Sequence, residues 1–219
     1  MTALDYQAVL FDLDGTLLDT APDFALSLNQ LLARKNRPPL SQMEIRALVS
    51  NGSAGLIAHA FQCSEQDSQF EKIRHEFLAI YLDNLCTETR PFPGIENLLN
   101  RLGKRGTPWG IVTNKPSLYT EAILDKLRLQ PAPGAVVCPD HVDNVKPHPE
   151  PVLLGCEQLG IAPELTIYVG DHRRDIESGR SAGTTTIAAA YGYIDDDHPD
   201  TWGAHHLVNH ADEITALLF

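Results

Sequence analysis

Two rhythms of hydrophobic and polar positions divide the chain. Near the start, Ala8-Val9-Leu10-Phe11 is a short unbroken apolar run that stops on Asp12. Such a run fits a strand buried on both faces of a parallel sheet. From Leu17 to Thr89 the apolar residues instead recur at helical spacing, as in Phe24, Leu28, Leu31 and Leu32, and again in Phe70, Ile73, Phe77, Ile80 and Tyr81. Asp19-Thr20-Ala21-Pro22 reads as a helix start, and Lys35-Asn36-Arg37-Pro38-Pro39 as a breaker. Ser41, three residues ahead of Glu44, predicts a capping box for a helix over Met43 to Val49. Ser50-Asn51-Gly52-Ser53 interrupts, and Ala54 to Phe61 resumes. No strand pattern stands out here, so residues 17–89 read as a small all-helical unit.

Arg90-Pro91-Phe92-Pro93-Gly94 is a stiff connector. Beyond it, strands alternate with helices. Strands are predicted at Trp109–Val112, Ala135–Cys138, Thr166–Val169, Thr184–Ala189 and, shorter, His206–Val208. The intervening helices are Ile95–Lys104, Ser117–Leu127, Pro149–Leu159, Asp175–Ala182 and the closing Ala211–Leu218. This alternation predicts an α/β fold whose parallel sheet is covered on both faces. The expected division is a core of residues 1–16 and 90–219 with a helical insertion over 17–89.

The polar residues that end these strands carry the chemistry. In an open α/β sheet, ligands sit just beyond the carboxyl ends of the strands. Asp12 ends the first strand, and Asp14 follows in the turn, with Gly15 for a sharp bend and Thr16 offering a hydroxyl and a backbone N–H. Two carboxylates this close repel unless a cation holds one ionised or the other carries a proton. That division suits a nucleophile beside a general acid/base. The second strand ends on Thr113-Asn114, whose hydroxyl, amide and helix-start N–H groups suit a phosphate. Lys146, in the loop Asn144-Val145-Lys146-Pro147, would offset negative charge. The fourth strand ends on Gly170-Asp171, with Asp175 a helical turn later; hard oxygen ligands of this kind favour Mg²⁺. Each residue alone has a plainer reading as a helix cap, a first-turn acid or a solvated loop group. Their convergence on one sheet edge is what gives them a joint role.

Composition narrows the partners. The 219 residues carry a formal net charge of −12, with no basic run, which argues against nucleic acid. An anionic substrate is still compatible, drawn in by a bound cation and local donors. Cys63, Cys86, Cys138 and Cys156 lack metal spacing and read as thiols of a reducing compartment. With no signal-peptide pattern and no apolar run long enough for a bilayer, the expectation is a cytoplasmic protein without a membrane partner. Asp195-Asp196-Asp197 reads as a solvated loop, because the later ligands of a calcium loop are missing. His205-His206 reads as surface or strand edge. The sequence does not decide between monomer and homodimer.

Taken in order, Asp12-Leu13-Asp14-Gly15-Thr16, Thr113, Lys146 and Gly170-Asp171 with Asp175 resemble the four motifs of the haloacid dehalogenase superfamily, in its phosphatase branch. The resemblance covers nearly the whole chain. It implies a Rossmann-like core with a helical cap inserted after the first motif. It also implies a Mg²⁺-dependent phosphomonoester hydrolase. In that scheme Asp12 attacks phosphorus and forms an aspartyl-phosphate, while Asp14 protonates the leaving alcohol and then activates water. Thr113 and its neighbour Asn114, with Gly15 and Thr16, would hold phosphate oxygens. Lys146 would orient Asp12 and neutralise charge. The side chains of Asp12 and Asp171 and the backbone carbonyl of Asp14 would hold the metal, with Asp175 in support. His172 stands where many relatives have a small hydroxyl residue or an acid, and no role is assigned to it.

Within the superfamily the sequence is similar to bacterial phosphoglycolate phosphatases. More narrowly it is similar to relatives acting on N-acetylmuramic acid 6-phosphate, through Val112-Thr113-Asn114-Lys115-Pro116, Cys138-Pro139-Asp140-His141-Val142, Gly192-Tyr193-Ile194 and Trp202-Gly203-Ala204. 2-Phosphoglycolate is placed first as substrate and the muramic sugar second. The insertion must supply specificity, since the core reads only phosphate and metal. Asn51, Gly52 and Ser53 are its candidate substrate contacts, and Arg46 its candidate partner for a substrate carboxylate. A phosphomutase would share the aspartyl-phosphate, and only its product would separate it. A dehalogenase would need neither Mg²⁺ nor Asp14. A signalling receiver domain places its phosphorylated Asp after a later strand than its acidic pair, which is the wrong order here.

Overall fold

The computed structural model describes residues 5–194 and 197–219. In chain order, β1 (Ala8–Phe11) is followed by β2 (Leu18–Asp19) and by helices α1 (Ala21–Arg34), α2 (Gln42–Leu48), α3 (Gly52–Phe61) and α4 (Phe70–Asn84). The chain continues through β3 (Arg90–Pro91), α5 (Ile95–Arg105), β4 (Trp109–Val112), α6 (Ser117–Leu127), β5 (Ala135–Val137), α7 (Glu150–Leu159), β6 (Thr166–Gly170) and α8 (Arg173–Ala182). It closes with β7 (Thr185–Ala189), β8 (His206–Val208) and α9 (Ala211–Leu218). Two compact units result: the residues up to Leu18 with Pro91–Phe219, and Asp19–Arg90.

The first unit is an α/β Rossmann-like core. Its six strands pair in the order β5-β4-β1-β6-β7-β8, all parallel. Every residue of β1, β4 and β6 is buried, which is why these strands lack an alternating pattern. Leu10, Val112, Val137, Tyr168, Val152 and Cys156 pack one face of the sheet against α7. The chain winds outward through β4 and β5 on one side of β1, and through β6, β7 and β8 on the other. The crevice where such winding reverses is where open α/β sheets bind ligands. Phe11 stands opposite Val169 in the β1–β6 register, so Asp12 and Gly170-Asp171 leave the sheet side by side at that crevice.

The second unit is helical, with Phe24 of α1 stacked on Tyr81 of α4 at 4.2 Å between ring centroids. Asn29 closes the α1–α2 loop by donating from Nδ2 to the Leu40 carbonyl and accepting at Oδ1 from the Leu40 N–H. The capping box forms by half. Ser41 Oγ accepts from the Glu44 N–H, but the Glu44 carboxylate turns to His59 Nε2 at 2.9 Å. Ser50 and Asn51 lie in a single 3-10 turn over Val49–Asn51, and Gly52, at φ 66°, opens α3 directly. That interruption is therefore tighter than the polar run suggests.

Other differences from the pattern are local. Leu18–Asp19 and Arg90–Pro91 pair as a short two-stranded ribbon, although the first lies where no strand was expected and the second in the expected connector. Two residues are too few for any periodicity to show. Helix α8 starts at Arg173 rather than Asp175 because His172 caps it: its Nδ1 accepts the Arg174 N–H at 3.1 Å. Asp195 and Asp196 of the acidic triplet lie outside the described residues; Asp197 accepts from Arg173 and from Trp202 Nε1. Among the described residues no helix is long and apolar enough to cross a membrane.

Asp23 ties the second unit together. Fully buried in the first turn of α1, its carboxylate accepts from the Glu88 N–H at 2.7 Å and from the Thr89 hydroxyl. Replacing it leaves the buried Thr89 hydroxyl without its acceptor, at about 1–3 kcal/mol, and also frees the part-buried Glu88 N–H. Asp23→Ala is expected to lower stability by about 2–4 kcal/mol, read as the urea midpoint, while Glu71→Ala on the surface of α4 shifts it negligibly.

Candidate active site

The loop after β1 is wound tightly. The Leu17 and Leu18 N–H groups both donate to the Leu13 carbonyl, and the Gly15 N–H donates to the Leu18 carbonyl. Gly15 sits at φ 84°, and a Cβ there would fall 2.1 Å from Asp171 Oδ2, so only glycine fits. Thr16 Oγ1 donates to Asp171 Oδ1 at 2.9 Å, and the Tyr193 N–H donates to Asp171 Oδ2 at 2.8 Å. The Tyr191 hydroxyl reaches the Thr16 carbonyl at 3.0 Å, and Phe92 packs edge-on against the Tyr191 ring. Gly192 passes so close to Asp171 that a Cβ would lie 2.3 Å from the aspartate Cβ. The segment Tyr191–Tyr193 thus straps Asp171 and the first loop together.

Lys146 is the hub. Its ammonium is 2.9 Å from Asp12 Oδ1, 2.7 Å from Asp175 Oδ1, 2.9 Å from the Val112 carbonyl and 3.0 Å from the Tyr168 hydroxyl. Asp175 is fully buried and has both oxygens engaged: Oδ1 by Lys146 and Tyr168, and Oδ2 by the His172 N–H at 3.0 Å. Asp12 Oδ1 also accepts the Leu13 N–H at 2.7 Å. Among the described residues Asp12 Oδ2 has no hydrogen-bond partner. A carboxylate held through one oxygen with the other open is oriented for attack on an electrophile.

The electrostatics call for a further cation. Asp12, Asp171 and Asp175 each offer an oxygen within 4.8 Å of the others. One lysine does not balance three carboxylates, two of them buried. Burial, then the repulsion of Asp175, push the Asp12 carboxyl up to about 6 despite the ion pair with Lys146. Burial followed by the charges of Asp12 and Asp175 push Asp171 well above the carboxylate range. Lys146 is held above the usual lysine range because its two carboxylates outweigh its burial. This all-oxygen donor set fits a hard metal ion. Asp12 and Asp171 are the two that could serve it as ligands, since Asp175 is spent on Lys146 and the His172 N–H.

The remaining expected residues divide. Thr113 is buried, its N–H in the sheet and its Oγ1 accepting the Lys115 N–H at 3.1 Å. Asn114 bridges to the Lys146 backbone through both amide atoms. In the helical unit, Arg46 Nη1 pairs with both oxygens of Asp19 at 2.8 Å, so its charge is already matched. Ser53 Oγ accepts from Arg74 Nε at 3.0 Å. His172, besides capping α8, accepts from Arg174 Nε; burial and the Arg174 charge lower its pKa, which favours the neutral, accepting ring.

Sequence reasoning gave no role to Lys115, Tyr168 or the 191–193 strap. Lys115 is nearly buried, with Nζ 2.9 Å and 3.2 Å from the two oxygens of Asp14. Its adjacency to Thr113-Asn114 was a usable signal. Tyr168 had one too: a phenol in an otherwise apolar strand, three residues before Asp171.

The haloacid dehalogenase-like hydrolase family model matches residues 9–189. An N-acetylmuramic acid 6-phosphate phosphatase of Pseudomonas aeruginosa is 45% identical over 219 residues, covering 100% of this chain and 97% of that protein. A phosphoglycolate phosphatase of Xanthomonas campestris is 40% identical over 203 residues, covering 92% of this chain and 91% of its own. The crystal structure of a subfamily IA hydrolase of the same superfamily, from Geobacter sulfurreducens, superposes with a TM-score of 0.78 at 26% identity, over 98% of this chain and 97% of that one. With the four motifs gathered at one sheet edge, the chain belongs to the haloacid dehalogenase-like hydrolases and is a phosphomonoester hydrolase of that family.

Proposed function

We propose that the chain hydrolyses N-acetylmuramic acid 6-phosphate through an aspartyl-phosphate on Asp12, with Mg²⁺ as cofactor. The observation that carries the chemistry is the Asp12 carboxylate, braced through Oδ1 by Lys146 and the Leu13 N–H with Oδ2 open. In the first step Asp12 Oδ2 bonds to phosphorus and the bond from phosphorus to the sugar 6-oxygen breaks. The departing oxygen takes a proton from Asp14. In the second step water attacks the phosphorus, Asp14 receives its proton, and the bond to Asp12 breaks to release phosphate. Lys146 holds Asp12 in place and offsets charge on the transferring group. Thr113 lies at the carboxyl end of β4, where its hydroxyl proton is available to a phosphate oxygen. The metal, held by Asp12, Asp171 and the Asp14 carbonyl, would act as Lewis acid and template.

The substrate assignment draws on the Pseudomonas relative, which matches the chain from end to end. A second reading, 2-phosphoglycolate, draws on the Xanthomonas relative. Both substrates carry a carboxylate, so a contact from Arg46 would require it to give up Asp19, and would not tell them apart.

Asp12→Asn is expected to abolish turnover with the fold intact, and Asp14→Asn to slow kcat by roughly 10² to 10⁴. Near-normal rates of phosphate release from the Asp12 variant would sink the nucleophile assignment. Mg²⁺ at about a hundredfold over its Kd should stabilise the protein by about 2.7 kcal/mol. The matching rise in Tm should vanish in Asp171→Asn, whose metal-free Tm should equal or exceed that of the wild type, because an amide removes the repulsion from Asp12 and Asp175. A Tm rise of the same size in that variant would remove Asp171 from the ligand set. With EDTA as control, kcat/KM for the muramic sugar should exceed that for 2-phosphoglycolate by at least about tenfold, a difference of 1.4 kcal/mol in transition-state stabilisation. The reverse ratio would select the second reading.

A further inference from the structure

We infer that Lys115 is a positioning residue that acts on the reaction through Asp14. The inference rests on the reading above in which Asp14 serves the leaving group. Lys115 is 8% exposed, and its ammonium spans both oxygens of the Asp14 carboxylate, at 2.9 Å and 3.2 Å. Its backbone is pinned on both sides: the N–H donates to Thr113 Oγ1, and the carbonyl accepts the Thr120 hydroxyl at 3.2 Å. The lysine thus leaves a fixed point on the β4–α6 loop and reaches across to a side chain on the loop after β1. Asp14 lies in that loop beyond the end of the strand, where a carboxylate has several staggered side-chain rotamers to choose from. An ammonium touching both oxygens selects one. A misplaced proton donor or acceptor loses its catalytic advantage even when its chemistry is unchanged.

Lys115 is therefore distinct from Lys146. Lys146 braces the carboxylate that attacks, and Lys115 braces the one that moves protons.

The leaving group tests this. An aryl phosphate such as p-nitrophenyl phosphate departs as a stable phenolate and draws little on a proton donor, whereas an alkyl phosphate needs one. The Mg²⁺-loaded wild type, Lys115→Met, Lys115→Arg and Asp14→Asn are each assayed for kcat/KM, which reports transfer to Asp12. The substrates are p-nitrophenyl phosphate and whichever of the two sugar or glycolate phosphates the wild type hydrolyses faster. Lys115→Met should lose about 10- to 100-fold on the alkyl phosphate and no more than about threefold on the aryl one. Lys115→Arg, which keeps the charge and the reach, should recover most of the loss. Asp14→Asn should show the same split. If Asp14→Asn shows the split and Lys115→Met loses both substrates equally, the lysine contacts the phosphate or merely supports the fold, and the inference is overturned. An unchanged Lys115→Met overturns it as well. If Asp14→Asn itself shows no split, the reading of Asp14 fails first. Asp14 is partly solvent-exposed, so removing Lys115 strands no fully buried charge and the Met variant should fold; should it not, Lys115→Gln replaces it under the same criteria.

Discussion

Charge balance around one buried ammonium holds this site together. Lys146 touches the nucleophile candidate Asp12, the helix acid Asp175, the Val112 carbonyl and the Tyr168 hydroxyl, all within 3.0 Å. Those partners come from β1, β4, β6 and α8, so one side chain fixes the ends of three strands and the start of a helix. A lysine this deeply buried persists only because paired carboxylates repay its desolvation. The carboxylates in turn outnumber it, and the excess negative charge is what a hard cation would neutralise. The same imbalance that raises Asp171 above its ordinary range would favour a hard cation at that point.

The core constellation was legible because it obeys a rule of sheet topology. Asp12, Thr113 and Asp171 each follow an apolar strand, and parallel strands deliver such residues to a common edge. Lys146 ends no strand and its loop resembles many others, so its charge suggested a role and the resemblance of its motif sharpened it. What stayed hidden depends on pairings between loops far apart in the chain. Lys115 and Asp14 are 101 residues apart, and Tyr191 reaches the Thr16 carbonyl across 175. No local pattern encodes such distances. Tyr168 shows a different limit: a phenol in a strand buried on both faces signals that its hydroxyl has a partner, but not which one.

The helical unit was legible in outline and less so in detail. The spacing of Phe24, Leu28, Leu31 and Leu32 identified the buried face of α1 because packing and periodicity agree there. Its polar residues followed tertiary partners instead. Glu44 turned from a capping box to His59, and Arg46 and Ser53, expected to face a ligand, pair with Asp19 and Arg74. A surface arginine finds whichever acid the fold brings near, and sequence distance gives little warning of which that is.

Two lysines dividing the labour between two carboxylates resolves a difficulty inherent in an Asp-x-Asp pair. The two acids are separated by a single residue and need opposite properties. In the mechanism proposed above, one keeps an unprotonated oxygen aimed at phosphorus, and the other passes a proton out and takes one in. A shared environment would push both toward the same behaviour. Here the backbone parts them first, Asp12 staying at the strand end while Asp14 turns away in the Gly15 loop. Each then meets its own cation, Lys146 buried among further carboxylates and Lys115 at the partly open Asp14. The two lysines arrive on separate loops, so each acid has its own anchor. The proposed two-step phosphoryl transfer, with its alternating proton movements, would draw on that separation.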